Sequence, residues 1–571
     1  MAKPRWMRPA HLAQTTDRRQ HALRIDPHRV RDTVPAESDW MPSVLARHRV
    51  IEAAPLPINI DTLLTEAATA APDTIACQFI ATDETVTYAR LREEVSRIAA
   101  GMYALGIRHG IKVAVMLPNV SAFPLTWLAL ARIGAVMVPV NIRYTGRELR
   151  YAVTDSETTF VILDAAYLPV LEDAALELPT RHVIVVGEPS ASFINWVRLR
   201  TTPPDSPPTM PAIDDLMNIQ YTSGTTGLPK GCMLPQRYWL TCAKAYATCD
   251  GFRYRRILSA NPFFYMTPQW LLLMAFYQRA TLFVAPHLSL SRYADWMRTY
   301  QIEFCWFPQD AHIAVLPTPE DRNNAIMRAN LSLHRKELQA AIEQRFGFPL
   351  RTAFGMTEIG MGLYTPLAAS EMTGSGSCGM PGPFREARIV DLNGNTVSTG
   401  QDGELLFRGP GLLQAYWRKP DATQAAFHGD WFRSGDLARQ DSRGFVTIIG
   451  RIKEMIRRAG ENISATEVES VLLALPGVAE VAAVPVPDAQ RGEEVKAYLV
   501  LVDGITQTDR PPERVIAHCR TQLASFKVPR YIEYRAAKLP RSTSGKVQKP
   551  ALLAETDDLR RNSWDRLAGT A

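Results

Sequence analysis

From residue 221 to residue 231 the chain reads Tyr-Thr-Ser-Gly-Thr-Thr-Gly-Leu-Pro-Lys-Gly, four aliphatic hydroxyls, three glycines and a lysine in eleven residues. Upstream, Leu216 to Tyr221 reads as a short buried strand; downstream, Trp239, Cys242, Ala243 and Tyr246 recur at helical spacing. The stretch is therefore expected to be a loop that joins a strand to a helix. Gly224 and Gly227 reach backbone conformations closed to other residues, so N–H groups of the loop can converge. Thr222, Ser223, Thr225 and Thr226 add hydroxyl donors, and Lys230 adds a positive charge. Phosphate oxygens are the natural guest, although most Gly/Ser/Thr loops are plain polar turns. The P-loop pattern is absent, because Lys230 is followed by Gly231 and not by Ser or Thr.

A chain of 571 residues is too long for one core, so two or more domains are expected. Hydrophobic content of 46% and charged content of 21% are those of a globular enzyme. A net charge of +6 is small for this length, and no basic run is interleaved with aromatics, which argues against nucleic acid as a partner. The seven cysteines form no CxxC pair, so neither a zinc site nor a disulfide framework is expected, and a cytoplasmic location fits. The most apolar run, Ala122 to Val140, holds Arg132 and two prolines and splits into a helix and a strand, so no transmembrane segment is expected. Residues 1–57 are rich in Arg at their start, lack a signal-peptide core and read as an N-terminal extension.

Beyond Ile58, Leu91, Val95, Ile98, Ala99, Met102 and Leu105 keep helical spacing behind the capping residue Thr87. Lys112 to Leu117 reads as a strand, Phe123 to Ile133 as a helix and Val136 to Val140 as a strand, the alternation of a parallel sheet. Thr159 to Leu163 and His182 to Val186 continue it, and the alternation resumes after the 221–231 loop. From Asp391 the strands shorten and are punctuated by Gly, Asp and Asn. After Gly450 a smaller α+β unit begins, with Ser464-Ala465-Thr466-Glu467 in the form of a capping box. The expected fold is α/β: a large multi-subdomain N-terminal domain (58–449) with mostly parallel sheets, a hinge (450–453), a small mobile α+β C-terminal lid (454–550) and a tail (551–571).

The 221–231 stretch resembles the phosphate loop of the adenylate-forming superfamily, which includes acyl-CoA synthetases, and the resemblance runs over nearly the whole chain. Its members use ATP to turn a carboxylate into an acyl-AMP and pyrophosphate, then pass the acyl group to a thiol or another acceptor. Phe354-Gly355-Met356-Thr357-Glu358 resembles the second signature, usually written with Tyr first. The resemblance implies that Glu358 holds Mg²⁺, that Thr357 bonds the α-phosphate and that Phe354 stacks on adenine. Ser434-Gly435-Asp436-Leu437 resembles the third, which implies that Asp436 accepts from the ribose hydroxyls. Gly450-Arg451-Ile452-Lys453-Glu454 resembles the interdomain hinge, with Arg451 near the ribose and Lys453 as the pivot. Gly460 is implied in the CoA tunnel, and Lys546, in Pro540-Arg541-Ser542-Thr543-Ser544-Gly545-Lys546, is implied as the cation between carboxylate and α-phosphate.

For the acid the residues say less. Phe264 and Tyr265 lie in an aromatic stretch without the Asp that amino-acid-activating relatives carry, so an α-amino acid is not expected. Ala329-Asn330-Leu331-Ser332 resembles the crotonobetaine/carnitine–CoA ligase branch. Tyr265, Trp270, Trp306 and Phe307 are expected to form an aromatic wall near Asp310, able to hold a cationic or small polar acid; an ordinary apolar pocket is the alternative. The expected partners are a small carboxylic acid, ATP, Mg²⁺ and CoA or a carrier-protein thiol. An amine or nitrite acceptor, a catalytically silent nucleotide-binding protein and a homodimer stay open.

Overall fold

The computed structural model describes residues 40–188, 192–203, 210–222, 229–332, 336–459, 461–542 and 545–568. Two large sheets dominate the N-terminal part. In the first, seven strands run in the order 194–195, 183–186, 160–164, 112–116, 136–139, 216–222 and 230–235. All neighbours are parallel except the last pair. The second has nine strands, with a parallel centre of 350–356, 328–331, 304–306, 256–259, 281–284 and 75–79. Strands covered on both faces need apolar residues at every position, so stretches such as Val113 to Met116 show no alternation.

The helices Ala122–Ile133, Gln236–Thr248 and Met266–Gln278 are buried almost all round. Their side chains share one apolar cluster with the inner faces of both sheets, including Val113, Met137, Ile257 and Phe304. Arg132, the one charge in the first of them, is neutralised by Asp61 at 2.5 Å. A five-stranded antiparallel sheet (386–390, 402–408, 427–428, 431–440 and 446–451) follows. The C-terminal part is a six-stranded mixed sheet with the helices Ala465–Leu473 and Pro512–Gln522. Among the described residues no helix is long and apolar enough to cross a membrane.

Several expectations change. The described part of the extension is not a solvated arm but docks on the body: the helix Trp40–Ala53 buries Trp40, Val44 and Ile51 in the main core, and His48 Nε2 lies 2.6 Å from Tyr364 Oη. Residues 551–568 are no tail either. Leu552 is buried in an apolar cluster of the C-terminal part, and Trp564–Asp565 pairs antiparallel with Tyr531 and Ile532. The 221–231 loop does not lead straight to a helix: Lys230–Pro235 forms an antiparallel strand, register Thr222↔Lys230 to Leu216↔Pro235, before the helix Gln236–Thr248. Its Gly and Pro are tolerated because it is the sheet's last strand. Ser464 caps its helix by accepting from the Glu467 amide, but the Glu467 carboxylate is drawn off to Lys527 at 2.8 Å, so the capping box is half made.

Candidate active-site cleft

The two ends of the 221–231 loop are fixed by hydrogen bonds. Tyr221 donates to Asp155 Oδ2 at 2.6 Å, which with burial pushes its phenol far above the usual range. Tyr151 donates to the Pro229 carbonyl at 2.8 Å. Thr222 Oγ1 donates to the Lys230 carbonyl at 3.4 Å. Ser223, Gly224, Thr225, Thr226 and Gly227 lie outside the described residues, as does Gly460. Lys230 Nζ sits 4.0 Å from the centroid of the Tyr416 ring, and Tyr416 Oη donates to Glu358 Oε1 at 3.0 Å. A cation and a carboxylate thus meet on one phenol, the first over its ring and the second at its hydroxyl.

Thr357 and Glu358 occupy the turn between the antiparallel strands Leu350–Met356 and Gly360–Tyr364. Glu358 is 8% exposed, and its carbonyl accepts from the Leu413 amide at 2.8 Å. The fully buried Arg385 guanidinium braces the turn. It donates to the Ile359 carbonyl at 3.0 and 2.6 Å and to the carbonyls of Pro410 and Gly411 at 2.7 and 3.2 Å. Burial pulls its pKa down to about 10, with backbone oxygens as its hydrogen-bond acceptors. Among the described residues no group of three or more His, Cys, Asp or Glu side chains is placed to hold a metal ion. A Mg²⁺ ion bound at Glu358 would therefore complete its shell with substrate phosphate oxygens and water, a common arrangement for this ion.

Asp436 and Arg451 face each other across paired strands, and Arg451 Nε lies 2.9 Å from Asp436 Oδ1. The other carboxylate oxygen, Oδ2, is buried with no hydrogen-bond partner among the described residues. Burial raises the Asp436 pKa to about 6, with Arg451 and Lys546 pulling the other way. Lys546 is exposed, in a bend where its carbonyl accepts from the Ser542 amide at 2.7 Å. Lys549 ties this segment to the turn Ile452–Glu454 and the helix Ala465–Leu473, 2.8 Å from both Glu454 and Glu469. Lys453 is exposed in the short turn Ile452–Glu454.

A cleft of about 1630 Å³ takes in Phe354, Asp436 and Arg451 together with Ser464 and Lys527 of the C-terminal part; Lys230, Thr357, Glu358 and Lys546 are not among the residues that line it. Phe354 stacks on Phe407 with centroids 6.0 Å apart, leaving part of the ring exposed. At the far end the cleft meets Tyr246, Trp270 and Trp306. The expected wall assembles only in part. Phe307 packs in a separate core cluster with Tyr293, Phe346 and Phe348, and Asp310 is exposed on a short helix. Phe264 is buried in the main core, Tyr265 lies beside it, and neither lines the cleft. Asn330 is fully buried next to Trp306. Sequence reasoning missed Tyr246, Tyr416 and Arg385 as site residues. Tyr246 shows in sequence only as helical periodicity, and nothing local marks the other two.

Comparison with known proteins agrees with this geometry. Residues 64–417 match the family model of the AMP-binding enzyme, and residues 467–546 match that of the AMP-binding enzyme C-terminal domain. The chain is 30% identical over 514 residues to the long-chain-fatty-acid–CoA ligase FadD13 of Mycobacterium tuberculosis, covering 86% of this chain and 98% of that one. It is 32% identical over 490 residues to the crotonobetaine/carnitine–CoA ligase of Salmonella typhi, with 82% and 92% covered. The structure of ATP-bound MatB from Rhodopseudomonas palustris superposes with a TM-score of 0.76 at 26% identity, over 86% of this chain and 98% of that one. The chain belongs to the AMP-binding enzyme family of adenylate-forming proteins.

Proposed function

We propose that the protein is an ATP-dependent carboxylate–CoA ligase that forms an acyl-AMP with release of pyrophosphate and then transfers the acyl group to CoA. The observation that carries this reading is Asp436: a buried carboxylate oxygen without a partner, in a cleft shared by body and lid, asks for a hydrogen-bond donor. The vicinal hydroxyls of a ribose supply two. Arg451 holds the carboxylate's other oxygen and fixes its orientation.

In this reading the 221–231 loop and Lys230 take the β- and γ-phosphates, Thr357 takes the α-phosphate, and Phe354 lies against the adenine. Glu358 would hold Mg²⁺, which would offset negative charge on the phosphates. Lys546 sits between the acid's carboxylate and the α-phosphate, where an ammonium lowers the repulsion of two anions that must meet in line. Residues 450–453 are the hinge and the unit from 454 through the strand Trp564–Asp565 is the lid, which turns about Lys453 to remove Lys546 and admit the thiol past Gly460. Lys549 bonds both Glu454 and Glu469, so the Lys546 segment and the hinge turn are tied together within the lid.

CoA is the acceptor that the named relatives support. The test is to mix acid, ATP, Mg²⁺ and CoA with the full chain and follow the thioester by mass spectrometry. Acyl-CoA together with AMP is expected. AMP production that needs an amine or a carrier-protein thiol in place of CoA would overturn the choice of acceptor.

A further inference from the structure

Three parallel strands end side by side at the far end of the cleft, where Trp306 is a lining residue and Ser259 and Asn330 lie buried on the strands to either side of it. Trp306 pairs directly with Asn330, and Leu258 with Cys305, which puts Ser259 level with Trp306. Residues paired across a sheet share a face, so Ser259, Trp306 and Asn330 form one row. Their face is the one that carries Ile257 and Phe304, turned toward the main core and the helices of Tyr246 and Trp270; Leu258, Cys305 and Ala329 serve the opposite cluster. The carboxyl ends of parallel strands are where α/β proteins receive ligands.

Each member of the row has an unpartnered buried polar atom among the described residues: Ser259 Oγ, Trp306 Nε1 and Asn330 Nδ2. Ser259 is 2% exposed and Asn330 is fully buried. The Asn330 amide cannot be reversed. Its Oδ1 accepts from Arg328 Nε at 2.6 Å, and a guanidinium has no acceptor to offer the NH₂ group. Arg328 is committed elsewhere as well, to Asp250 Oδ1 at 2.8 Å and to the Thr365 carbonyl at 3.2 Å. The row therefore offers two N–H donors and a hydroxyl, with no uncommitted charge.

The aromatic rings above it do not make a cation cage. Tyr246 and Trp270 stack on each other, 4.2 Å apart and 13° from parallel, so their outer faces point in opposite directions. Trp306 is 6.3 Å from one and 6.1 Å from the other, at 71° and 70°. Nearly equal distances place it at the edges of the stack, and the three faces share no common centre.

We propose that the acid this enzyme activates carries an uncharged hydrogen-bond-accepting oxygen, a ketone or ether, at its far end, its two lone pairs received by Trp306 Nε1–H at the cleft wall and by Ser259 Oγ–H on the adjoining strand. A saturated alkyl tail would leave both groups unpaired, and sites built on buried polar groups discriminate strongly against a guest that lacks the matching atom. Within the row a second carboxylate would find no uncommitted cation, and a quaternary ammonium would find no aromatic cage.

The inference rests on the ligase reading, and its test keeps the two apart. Acid-dependent ATP–pyrophosphate exchange is measured for a series of oxo acids and for alkyl acids matched in number of heavy atoms. At least one oxo acid should exceed its match by about tenfold in kcat/KM, and Trp306→Phe and Ser259→Ala should each shrink that ratio to about threefold or less. Thermal melts of both variants check that they fold. Exchange at equal rates within every pair, as expected if the row holds only water, or a ratio untouched by both variants, overturns the inference and leaves the ligase intact. No exchange with any acid of either series overturns the ligase reading and this inference with it.

Discussion

Arg451 Nε lies 2.9 Å from Asp436 Oδ1, across a strand pair that places the two residues opposite each other, while Asp436 Oδ2 is buried without a partner. Nucleotide binding should depend on the charge of this one carboxylate. Burial sets its pKa at about 6 against an ordinary 3.8. The KM for ATP should rise as pH falls through 6 and stay level above about 7, where the group is ionised. In Asp436→Asn the KM should be high throughout, with that pH dependence gone. Stability runs the other way. A raised carboxylate pKa favours the folded state below 3.8, and that contribution is lost as pH rises through about 6. Asp436→Asn should therefore be more stable than the parent at pH 7.5, by on the order of 2–3 kcal/mol. A variant that melts lower at that pH would contradict the argument.

Tyr416 donates to Glu358 at 3.0 Å, and Lys230 packs over the face of the phenol ring. Tyr416→Phe removes a bond that orients the carboxylate and should raise the Mg²⁺ needed for half-maximal exchange about tenfold. Glu358→Gln should lower exchange at saturating Mg²⁺ as well. A Mg²⁺ titration of the three proteins decides, and superimposable curves would remove Glu358 from the metal site.

At the hinge, a Cβ added to Gly450 would come within 2.5 Å of Ser464 Oγ. That hydroxyl donates to the Ile449 carbonyl at 2.6 Å and caps the first lid helix. Gly450→Ala should displace it, costing about 1–2 kcal/mol in this arrangement of lid and body. The two half-reactions should then change by different factors, read as exchange and as CoA acylation from supplied acyl-adenylate. Equal change in both would show that Gly450 does not bear on lid position.

The buried pair Arg328–Asp250 underlies the floor of the acyl end. Asp250→Asn leaves a guanidinium without its counter-charge in the core and should cost about 3–5 kcal/mol in urea denaturation. A loss under about 1 kcal/mol would mean that the remaining hydrogen bonds from Arg328 suffice.

Much of the architecture was legible because doubly covered parallel strands must be apolar throughout, as at Val113 to Met116. The strand Lys230–Pro235 was not, since an edge strand admits the Gly and Pro that ordinarily signal a loop. The aromatic wall failed on strand geometry. Trp306 and Phe307 are consecutive and so point to opposite faces, one into the cleft and the other into the second core. Tyr416 meets Glu358 across 58 residues, and Arg385 meets Ile359 across 26, distances over which no local pattern operates. Asp436 could be named from its neighbours, but its unpaired oxygen and shifted pKa follow from burial, which only the fold reveals.

The most direct measurement is the isotope exchange between pyrophosphate and ATP, without CoA, in the parent and in Lys546→Ala. The account predicts exchange that requires an added acid and falls at least about a hundredfold in the variant, in line with the loss of a residue that stabilises charge in the reacting complex. Exchange that persists undiminished in Lys546→Ala would contradict it.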